Sequence, residues 1–396
     1  MNNKVVLAFS GGLDTSYCVK YLQKEKKLDV HAVLVNTGGF DQDELDIIET
    51  KAKQLGVASF KVLDKVEEYY TKVIKYLIFG NVLKNNTYPL SVSAERTVQA
   101  VAVANYARIL GASHVAHGST GAGNDQVRFD LVFQALAPEL KILTPIRDLQ
   151  LSREAEINFL KSQGVDASWE KSKYSINKGL WGTSVGGVET LTSNKTLPEQ
   201  AWPSQVQLSD KQIITVNFEK GELSGLNGAS MKPADVIVTL NELGGKYGIG
   251  RDIHVGDTII GIKGRVGFEA PGALMSIKAH HALEKHVLTK WQLYWKEQLG
   301  NWYGMMLHEA LYLDPVMRNI ESFLQGSQQH VTGSVILSLN PYRFTVDGIE
   351  SSFDLMDNDF GAYGEMNKAW TGEDVKGFTK IMANQLLLFN QKSENV

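Results

Sequence analysis

The stretch VVLAFSGGLDTS, residues 5–16, decides how the first part of this chain folds. The run VVLAF is apolar throughout, which is typical of a strand buried on both faces of a parallel sheet. Gly11 and Gly12 then allow a tight turn, and residues 15–27 show the apolar spacing of an amphipathic helix. The N–H groups of such a turn and the positive end of the helix suit phosphate oxygens, so the stretch predicts a phosphate-binding site.

Asp14 places a carboxylate beside this predicted phosphate site. A magnesium ion that bridges carboxylate and phosphate oxygens would offset the repulsion, and Ser10 and Ser16 add hydroxyl donors. No lysine follows the glycines, so the stretch differs from the GxxxxGK[ST] phosphate loop of kinase-like enzymes. The alternative is a plain strand–turn–helix corner in which Asp14 and Thr15 cap the helix.

Short apolar runs alternate with helical patterns through the first part of the chain. Further strands are predicted in the runs VHAVLVNTGG, SFKVLD, HVAHG and KILTP. The alternation predicts right-handed β-α-β units in a doubly wound parallel sheet of the α/β class. Ligands of such sheets bind at the carboxyl ends of the strands, which is where the glycine turn lies.

The pattern changes after about residue 168. A loop-like segment rich in Gly, Ser, Thr, Asn and Pro covers residues 176–203, and hairpin-like runs then mix with helices. We therefore predict a nucleotide-binding domain over residues 1–168, a second, α+β domain over residues 169–371, and a C-terminal helix over residues 372–396.

Two helical patterns late in the chain have apolar residues that need something to pack against. The tryptophans of the first pattern indicate packing in the core or at an interface and are Trp291, Trp295 and Trp302. The apolar face of the C-terminal helix is predicted to pack on a partner subunit or on its own domain and consists of Phe378, Ile381, Met382, Leu386 and Phe389.

Composition and charge limit the class of protein. With 396 residues and a formal net charge of −4, the chain has room for two domains and lacks the basic block that a nucleic-acid partner requires. The single cysteine, Cys18, excludes an intrachain disulfide and is predicted to pack on the first helix, which fits a reducing compartment. We see no signal peptide and no run apolar enough to span a bilayer, so we expect a cytoplasmic protein without membrane partners.

A second glycine-containing stretch, HGSTGAGNDQVRF, covers residues 117–129 and follows a predicted strand. Asn124 and Asp125 suit the ammonium group of an amino acid, and Arg128 suits a carboxylate or a polarised oxygen. The alternative is a solvated loop in which Asn124 caps the next helix and Arg128 lies on the surface.

These two stretches carry a resemblance to a known family. SGGLDTS resembles the PP-loop of the N-type ATP pyrophosphatases, and HGSTGAGNDQVRF resembles the HGxTGKGNDQVRF signature of the argininosuccinate synthases. The pairs YS at 174–175 and GLWGTS at 179–184 extend the similarity through most of the chain. The resemblance implies a HUP-like nucleotide-binding sheet, a synthetase and multimerisation domain, and a homotetramer joined by its C-terminal helices.

The resemblance also implies a reaction and a set of site residues. Citrulline and aspartate are joined in arginine biosynthesis with ATP and Mg²⁺, through an adenylated citrulline, with release of AMP and pyrophosphate. ATP is bound by Ala8, Phe9, Ser10, Gly11, Gly12, Leu13, Asp14, Thr15, Ser16, Val35, His117 and Gly118. The two amino acids are bound by Tyr88, Ser93, Thr120, Asn124, Asp125, Arg128, Ser175 and Ser184, of which Thr120, Asn124 and Asp125 match aspartate-binding positions. The implied catalytic residues are Ser10, Asp14, Asp125 and Arg128, and no side-chain cluster is predicted to hold a metal by itself.

The chain departs from the family pattern at two places. Arg96 matches an arginine near the citrulline carboxylate, but it stands in SAERT rather than in the usual LARP. The usual VExxxIGxKSRGxYE, whose first Glu and Tyr contact citrulline, is here VGDTIIGIKGRVGFE, with Gly256 and Phe268 at those two positions. Either Asp257 substitutes for the missing carboxylate, or the substrate is an N-acylated citrulline whose acyl group fills the space left by Gly256.

Two further alternatives keep the phosphate site but change the function. Other PP-loop enzymes adenylate tRNA, nucleotides or amides, although the small net charge and the single cysteine argue against an RNA substrate. The second alternative is a regulatory protein that binds a nucleotide without turnover. The presence of Asp14 and of the second glycine-containing stretch argues against it.

Overall fold

The structure is a computed structural model that describes residues 3–165, 173–361, 363–365 and 367–393. Its first part is built on a five-stranded parallel sheet in the order β3-β2-β1-β4-β5. The strands of this sheet are β1 (Lys4–Ala8), β2 (Asp29–Asn36), β3 (Ser59–Asp64), β4 (His114–Ala116) and β5 (Lys141–Leu143). The predicted parallel α/β sheet is therefore confirmed.

Helices cover both faces of this sheet. Val5 and Leu7 of β1 pack into one apolar core and Val6 packs into another, so the strand is buried on both sides. The helices of this part are α1 (Leu13–Lys24), α2 (Gln42–Gln54), α3 (Val66–Tyr69), α4 (Lys75–Phe79), α5 (Ser93–Ile109), α6 (Asp125–Leu136), α7 (Pro145–Asp148) and α8 (Arg153–Ser162), with a π-helical turn (Tyr70–Ile74) between α3 and α4. Cys18 packs within the first core as predicted, and burial raises the pKa of its thiol.

The second part combines antiparallel sheets with helices, as the α+β pattern predicts. Its strands are β6 (Ser175–Gly179), β7 (Gly182–Gly186), β8 (Gln212–Glu219), β9 (Glu222–Leu226), β10 (Ala229–Ser230), β11 (Arg251–Asp257), β12 (Lys263–Glu269), β13 (Gly333–Asn340) and β14 (Arg343–Glu350). They form a sheet in the order β10-β9-β8-β13-β14 and another in the order β11-β12-β7-β6. The helices are α9 (Pro233–Lys246), α10 (Pro271–Val287), α11 (Lys290–His308) and α12 (Pro315–Gly326).

The prediction of a loop over residues 176–203 is partly wrong, because this segment contains the hairpin of β6 and β7. Four of the five residues of β6 are exposed, so the segment lacks the apolar alternation that marks a strand. Trp181 lies in the turn of this hairpin, fully buried, and its indole N–H donates to the Pro89 carbonyl oxygen over 2.8 Å. The hairpin is thereby fixed to the segment that precedes α5.

The chain divides into two compact units, residues 1–351 and residues 352–396. The predicted boundary between residues 168 and 169 lies outside the described residues. The second unit contains α13 (Gly372–Ser393), none of whose described residues is buried. Trp291, Trp295 and Trp302 are each more than half exposed on α11, so core packing is wrong for them, and packing at an interface stays a prediction.

Within the described residues, no helix has both the length and the apolar character that crossing a membrane requires.

Trp181→Phe tests how much the hydrogen bond from Trp181 to the Pro89 carbonyl oxygen contributes to the stability of the fold. The substitution leaves the Pro89 carbonyl oxygen buried without its donor, which costs about 1–3 kcal/mol of unfolding free energy. We expect a lower midpoint of urea denaturation, followed by circular dichroism. Trp291→Phe is the matched control, since Trp291 is 63% exposed and should leave the midpoint unchanged. Equal midpoints for both variants would contradict a stabilising role for this hydrogen bond.

Candidate active site

The glycine turn after β1 forms the base of one cavity. Gly11 has a φ of +74°, which favours glycine, and its carbonyl oxygen accepts from Lys51 Nζ over 2.6 Å. The helix α1 begins at Leu13, two residues before the predicted start, and Gly12 occupies its N-cap position. No side chain caps α1, so the alternative in which Asp14 and Thr15 only cap a helix is wrong.

We call this cavity, of about 710 Å³, the strand-end pocket. It lies at the carboxyl ends of β1 and β2, as a parallel sheet predicts. Ten of the twelve predicted nucleotide-binding residues line it, namely Ala8, Phe9, Ser10, Gly12, Leu13, Asp14, Thr15, Val35, His117 and Gly118. The other two, Gly11 and Ser16, do not line it, and the Ser16 hydroxyl donates to the Gly12 carbonyl oxygen over 2.7 Å.

The loop after β4 closes against the start of α1. A Cβ at Gly118 would lie 3.2 Å from the Thr15 methyl carbon, so the two glycine-containing stretches touch here. His117 is buried, accepts the Ser119 N–H on Nδ1 over 3.2 Å, and donates from Nε2 to Asp130 over 2.9 Å. Both ring nitrogens are therefore used in fixing the loop, which agrees with a structural role for this histidine.

A second cavity, of about 500 Å³, lies against the hairpin of β11 and β12, and we call it the hairpin pocket. All eight residues predicted to bind the amino acids line it: Tyr88, Ser93, Thr120, Asn124, Asp125, Arg128, Ser175 and Ser184. On the opposite wall, only Gly256 and Asp257 were singled out from the sequence. That wall includes His254, Gly256, Asp257, Thr258, Val266 and His308.

Asn124 and Arg128 are held inside the site and do not form a solvated loop. Asn124 occupies the N-cap position of α6 without capping it, and its Oδ1 accepts the Ile259 N–H over 2.9 Å. Arg128 is 3% exposed and donates from Nη2 to the His308 carbonyl oxygen over 3.1 Å. The alternative with a capping Asn124 and a surface Arg128 is therefore wrong.

Asp125 is the most strongly paired carboxylate of the site. Arg128 Nη1 donates to its Oδ1 over 2.8 Å, and Arg96 Nε donates to its Oδ2 over 3.0 Å. The surrounding protein partly desolvates this side chain, which is 40% exposed, but the two guanidinium groups outweigh that effect and hold the pKa of Asp125 below its usual range. Asp125 is thus an ionised acceptor at neutral pH. Arg96 lines the strand-end pocket, not the hairpin pocket.

The two pockets share a wall. Five residues line both cavities, namely Asp14, Gly118, Ser119, Asp125 and Ser175. A group bound in one pocket and a group bound in the other can therefore come into contact along this wall.

The far wall of the hairpin pocket shows how the chain fills the position of Gly256. His254 precedes Gly256 by two residues on β11 and so lies on the same face of the sheet. A Cβ at Gly256 would lie 2.6 Å from His254 Nε2, so the imidazole occupies the space that a side chain at 256 would need. The ring stacks on Tyr88 with centroids 5.0 Å apart.

This placement corrects the expectation that Gly256 leaves room for an acyl group, because His254 takes that room. Phe268 is fully buried, with its ring centroid 5.4 Å from that of Tyr88, and it does not line the pocket. Asp257 lines the pocket but is exposed and pairs with Lys263 over 2.7 Å. The position of His254 two residues before Gly256 was the signal in the sequence that identifies it.

Two carboxyl groups beside the glycine turn, those of Asp14 and Glu156, indicate whether a divalent cation fits there. Burial, reinforced by the neighbouring charge of Asp14, raises the pKa of Glu156 to about 7. Among the described residues, Glu156 Oε2 has no hydrogen-bond partner. No group of three or more His, Cys, Asp or Glu side chains that can hold a metal occurs in the described part of the chain. The residues therefore fit a cation that takes further oxygen ligands from a bound phosphate.

Comparisons with known proteins match both parts of the chain to one family. The family described as "Arginosuccinate synthase N-terminal HUP domain" matches residues 4–166, and that described as "Arginosuccinate synthase C-terminal domain" matches residues 174–389. The argininosuccinate synthase of Methanocaldococcus jannaschii is 36% identical over 397 residues, covering 100% of both chains. That of Dictyoglomus thermophilum is 37% identical, covering 99% of this chain and 98% of its own, and that of Xanthomonas campestris is 36% identical, covering 98% of both.

Proposed function

Because this chain belongs to the argininosuccinate synthase family, we propose that its strand-end pocket binds ATP and its hairpin pocket binds the two amino acids. The chain is a ligase that joins citrulline and aspartate with ATP in arginine biosynthesis. The comparisons do not favour an N-acylated citrulline or an unrelated acceptor in its place.

The wall shared by the two pockets is the observation that carries this assignment. With ATP in the strand-end pocket and citrulline in the hairpin pocket, the α-phosphate and the ureido group meet along Asp14, Gly118 and Ser175. The ureido oxygen attacks the α-phosphorus, and the bond from that phosphorus to pyrophosphate breaks. Such a displacement depends on alignment and charge stabilisation more than on acid–base groups.

In the second step, the ammonium group of aspartate loses a proton, the resulting amine attacks the ureido carbon, and the AMP that leaves with the ureido oxygen can take up that proton. We assign Asp125 as the acceptor for the aspartate ammonium, because two arginines keep its carboxylate ionised at the shared wall. Arg128 fixes Asp125 and lines the hairpin pocket at the same time. Ser10 lines only the strand-end pocket and is assigned to the nucleotide.

Mg²⁺ is the cation we assign to Asp14. The unpartnered Oε2 of Glu156 beside Asp14 supports a site that takes positive charge. When bound, the ion offsets the charge of the phosphate groups. The glycine turn and the positive end of α1 supply N–H donors to the same phosphates.

We propose that the C-terminal helix α13 packs between subunits of a homotetramer. None of its described residues is buried, and its apolar side chains Phe378, Ile381 and Leu386 are each more than 60% exposed. An exposed face of this kind needs a partner. We also propose that the chain divides into domains near residue 168 and that the protein is cytoplasmic, which its single cysteine supports.

Asp14→Ala tests the role of Asp14 in the reaction. The wild type should release AMP and pyrophosphate from ATP only when citrulline, aspartate and Mg²⁺ are all present. The variant should lose about 100-fold or more in kcat, since charge placed at a phosphate is worth several kcal/mol. Labelled ATP separated by chromatography gives both results, and circular dichroism checks the fold. ADP and phosphate as the coupled products would overturn the assignment.

From the position of the His254 imidazole we predict which substrate the hairpin pocket prefers, citrulline or N-acetylcitrulline. Since it fills the space over Gly256, kcat/KM should favour citrulline over N-acetylcitrulline by about tenfold or more, equivalent to about 1.4 kcal/mol. His254→Ala opens that space and should narrow the preference. Initial rates with both acceptors decide the matter. A wild type that prefers the acylated acceptor would show that the imidazole does not exclude it.

Truncation before Val375 tests the proposed subunit contact. Removing most of α13 takes away its apolar face, so the assembly should fall to smaller species. Light scattering coupled to gel filtration measures the mass. An unchanged mass after truncation would place the subunit contacts elsewhere on the chain.

A further inference from the structure

A buried carboxylate, Glu95, lies where the family motif does not have one. The usual LARP places alanine before its arginine, whereas SAERT places Glu95 before Arg96. Glu95 is 1% exposed and lines the strand-end pocket, although no step of the reaction uses it directly. A carboxylate is costly to bury without partners, so its contacts indicate what it does.

Glu95 is part of a continuous chain of hydrogen bonds between the two pockets. Its Oε2 accepts from the Thr37 hydroxyl over 2.9 Å, at the end of β2. Its Oε1 accepts from Arg96 Nη1 over 2.6 Å, and the Nε of the same guanidinium donates to Asp125 Oδ2 over 3.0 Å. Gln99 accepts from the same Nη1 over 3.0 Å and donates to Thr37 over 3.2 Å, which closes the network.

The surroundings leave this carboxylate little freedom. Gly179 of β6 packs so closely that a Cβ there would overlap Glu95 Oε2. The charged groups that face Glu95 are Arg96 of α5 and Asp125 of α6, and Tyr69 of α3 is a buried phenol nearby. Burial raises the pKa of Glu95 to about 7, against the lowering effect of Arg96 and Thr37. Burial and the charge of Glu95 raise the pKa of Tyr69, so that phenol stays neutral.

We propose that Glu95 is a positioning residue for aspartate binding, which shares the charge of Arg96 with Asp125. The proposal rests on the proposed function, in which Asp125 accepts the ammonium of aspartate. It adds a residue that acts on aspartate through Arg96 and Asp125 and does not line the hairpin pocket itself.

The physical reason is the division of one positive charge between two carboxylates. While Glu95 is ionised, Arg96 is paired with both Glu95 and Asp125, so Asp125 keeps more of its charge for the substrate ammonium. Once Glu95 is protonated, the charge of Arg96 is offset by Asp125 alone, and Asp125 becomes a weaker acceptor. Affinity for aspartate should therefore fall as the pH falls through about 7.

Glu95→Gln keeps the shape of the side chain and removes its charge. We expect the KM for aspartate at pH 8 to rise about three- to tenfold, a loss in the range of one charge-assisted hydrogen bond. The KM values for ATP and citrulline should change little. The wild type should show a step in kcat/KM for aspartate near pH 7, and this step should disappear in the variant. Glu95→Ala, which restores the residue of the usual motif, should also abolish the step if the glutamine variant folds poorly.

Glu321→Gln is the matched control. Glu321 is also buried and pairs with an arginine, Arg318, over 2.6 Å, but it lines neither pocket. It should leave the aspartate KM and its pH profile unchanged. An unaltered pH step in Glu95→Gln, or a parallel rise of all three KM values with a fall in the melting temperature, would overturn the proposal.

Failure of the proposed function gives a different result. In that case the wild type itself would form no AMP with citrulline and aspartate. Titration calorimetry of aspartate with the wild type and Glu95→Gln in the presence of ATP then decides the role of Glu95 separately. Equal aspartate affinities for the two proteins at pH 8 would reject it.

Discussion

The pairing of Asp125 with Arg96 and Arg128 is the interaction on which the geometry of the site depends. A carboxylate at the wall between two pockets must be ionised to bind an ammonium group, yet partial desolvation by the surrounding protein opposes ionisation. The two arginines resolve this conflict by donating to different oxygens of Asp125, one from α5 and one from the same helix α6. Since Arg128 also donates to the His308 carbonyl oxygen at the end of α11, the pairing ties the parallel sheet to the second part of the chain.

The close approach of the two glycine-containing stretches follows from the same need. The pockets can share a wall only if the loop after β4 touches the start of α1, and the contact between Gly118 and Thr15 leaves little room for a larger residue. His117 holds this loop from beneath through Asp130, and Arg147 donates to the other oxygen of Asp130 over 2.6 Å. The order of the parallel strands places all of these groups at one edge of the sheet.

Sequence reasoning was strongest where motif and strand order coincide. The turn at Gly11 and the residues around Asn124 follow buried strands of a parallel sheet, whose carboxyl ends must meet, so their side chains could be expected together. It failed for the hairpin of β6 and β7, because exposed residues such as those of β6 carry no apolar alternation. It missed the contacts of Glu95, since a partner from a distant segment leaves no periodic signal. It also overlooked His254, although the spacing of two residues from Gly256 puts both on one face of β11.

The hairpin of β11 and β12 shows why the missing carboxylate at 256 does not leave a hole. Side chains two residues apart on a strand share a face, so His254 and Gly256 compete for one volume above the sheet. With glycine at 256, the imidazole can lean over it and stack on Tyr88. His254 and Gly256 therefore determine the shape of this part of the pocket wall together. The residues that line the phosphate site belong to the parallel sheet, whereas His254 and Gly256 belong to the opposite wall. The fit of the amino-acid substrate can therefore change while the phosphate chemistry stays the same.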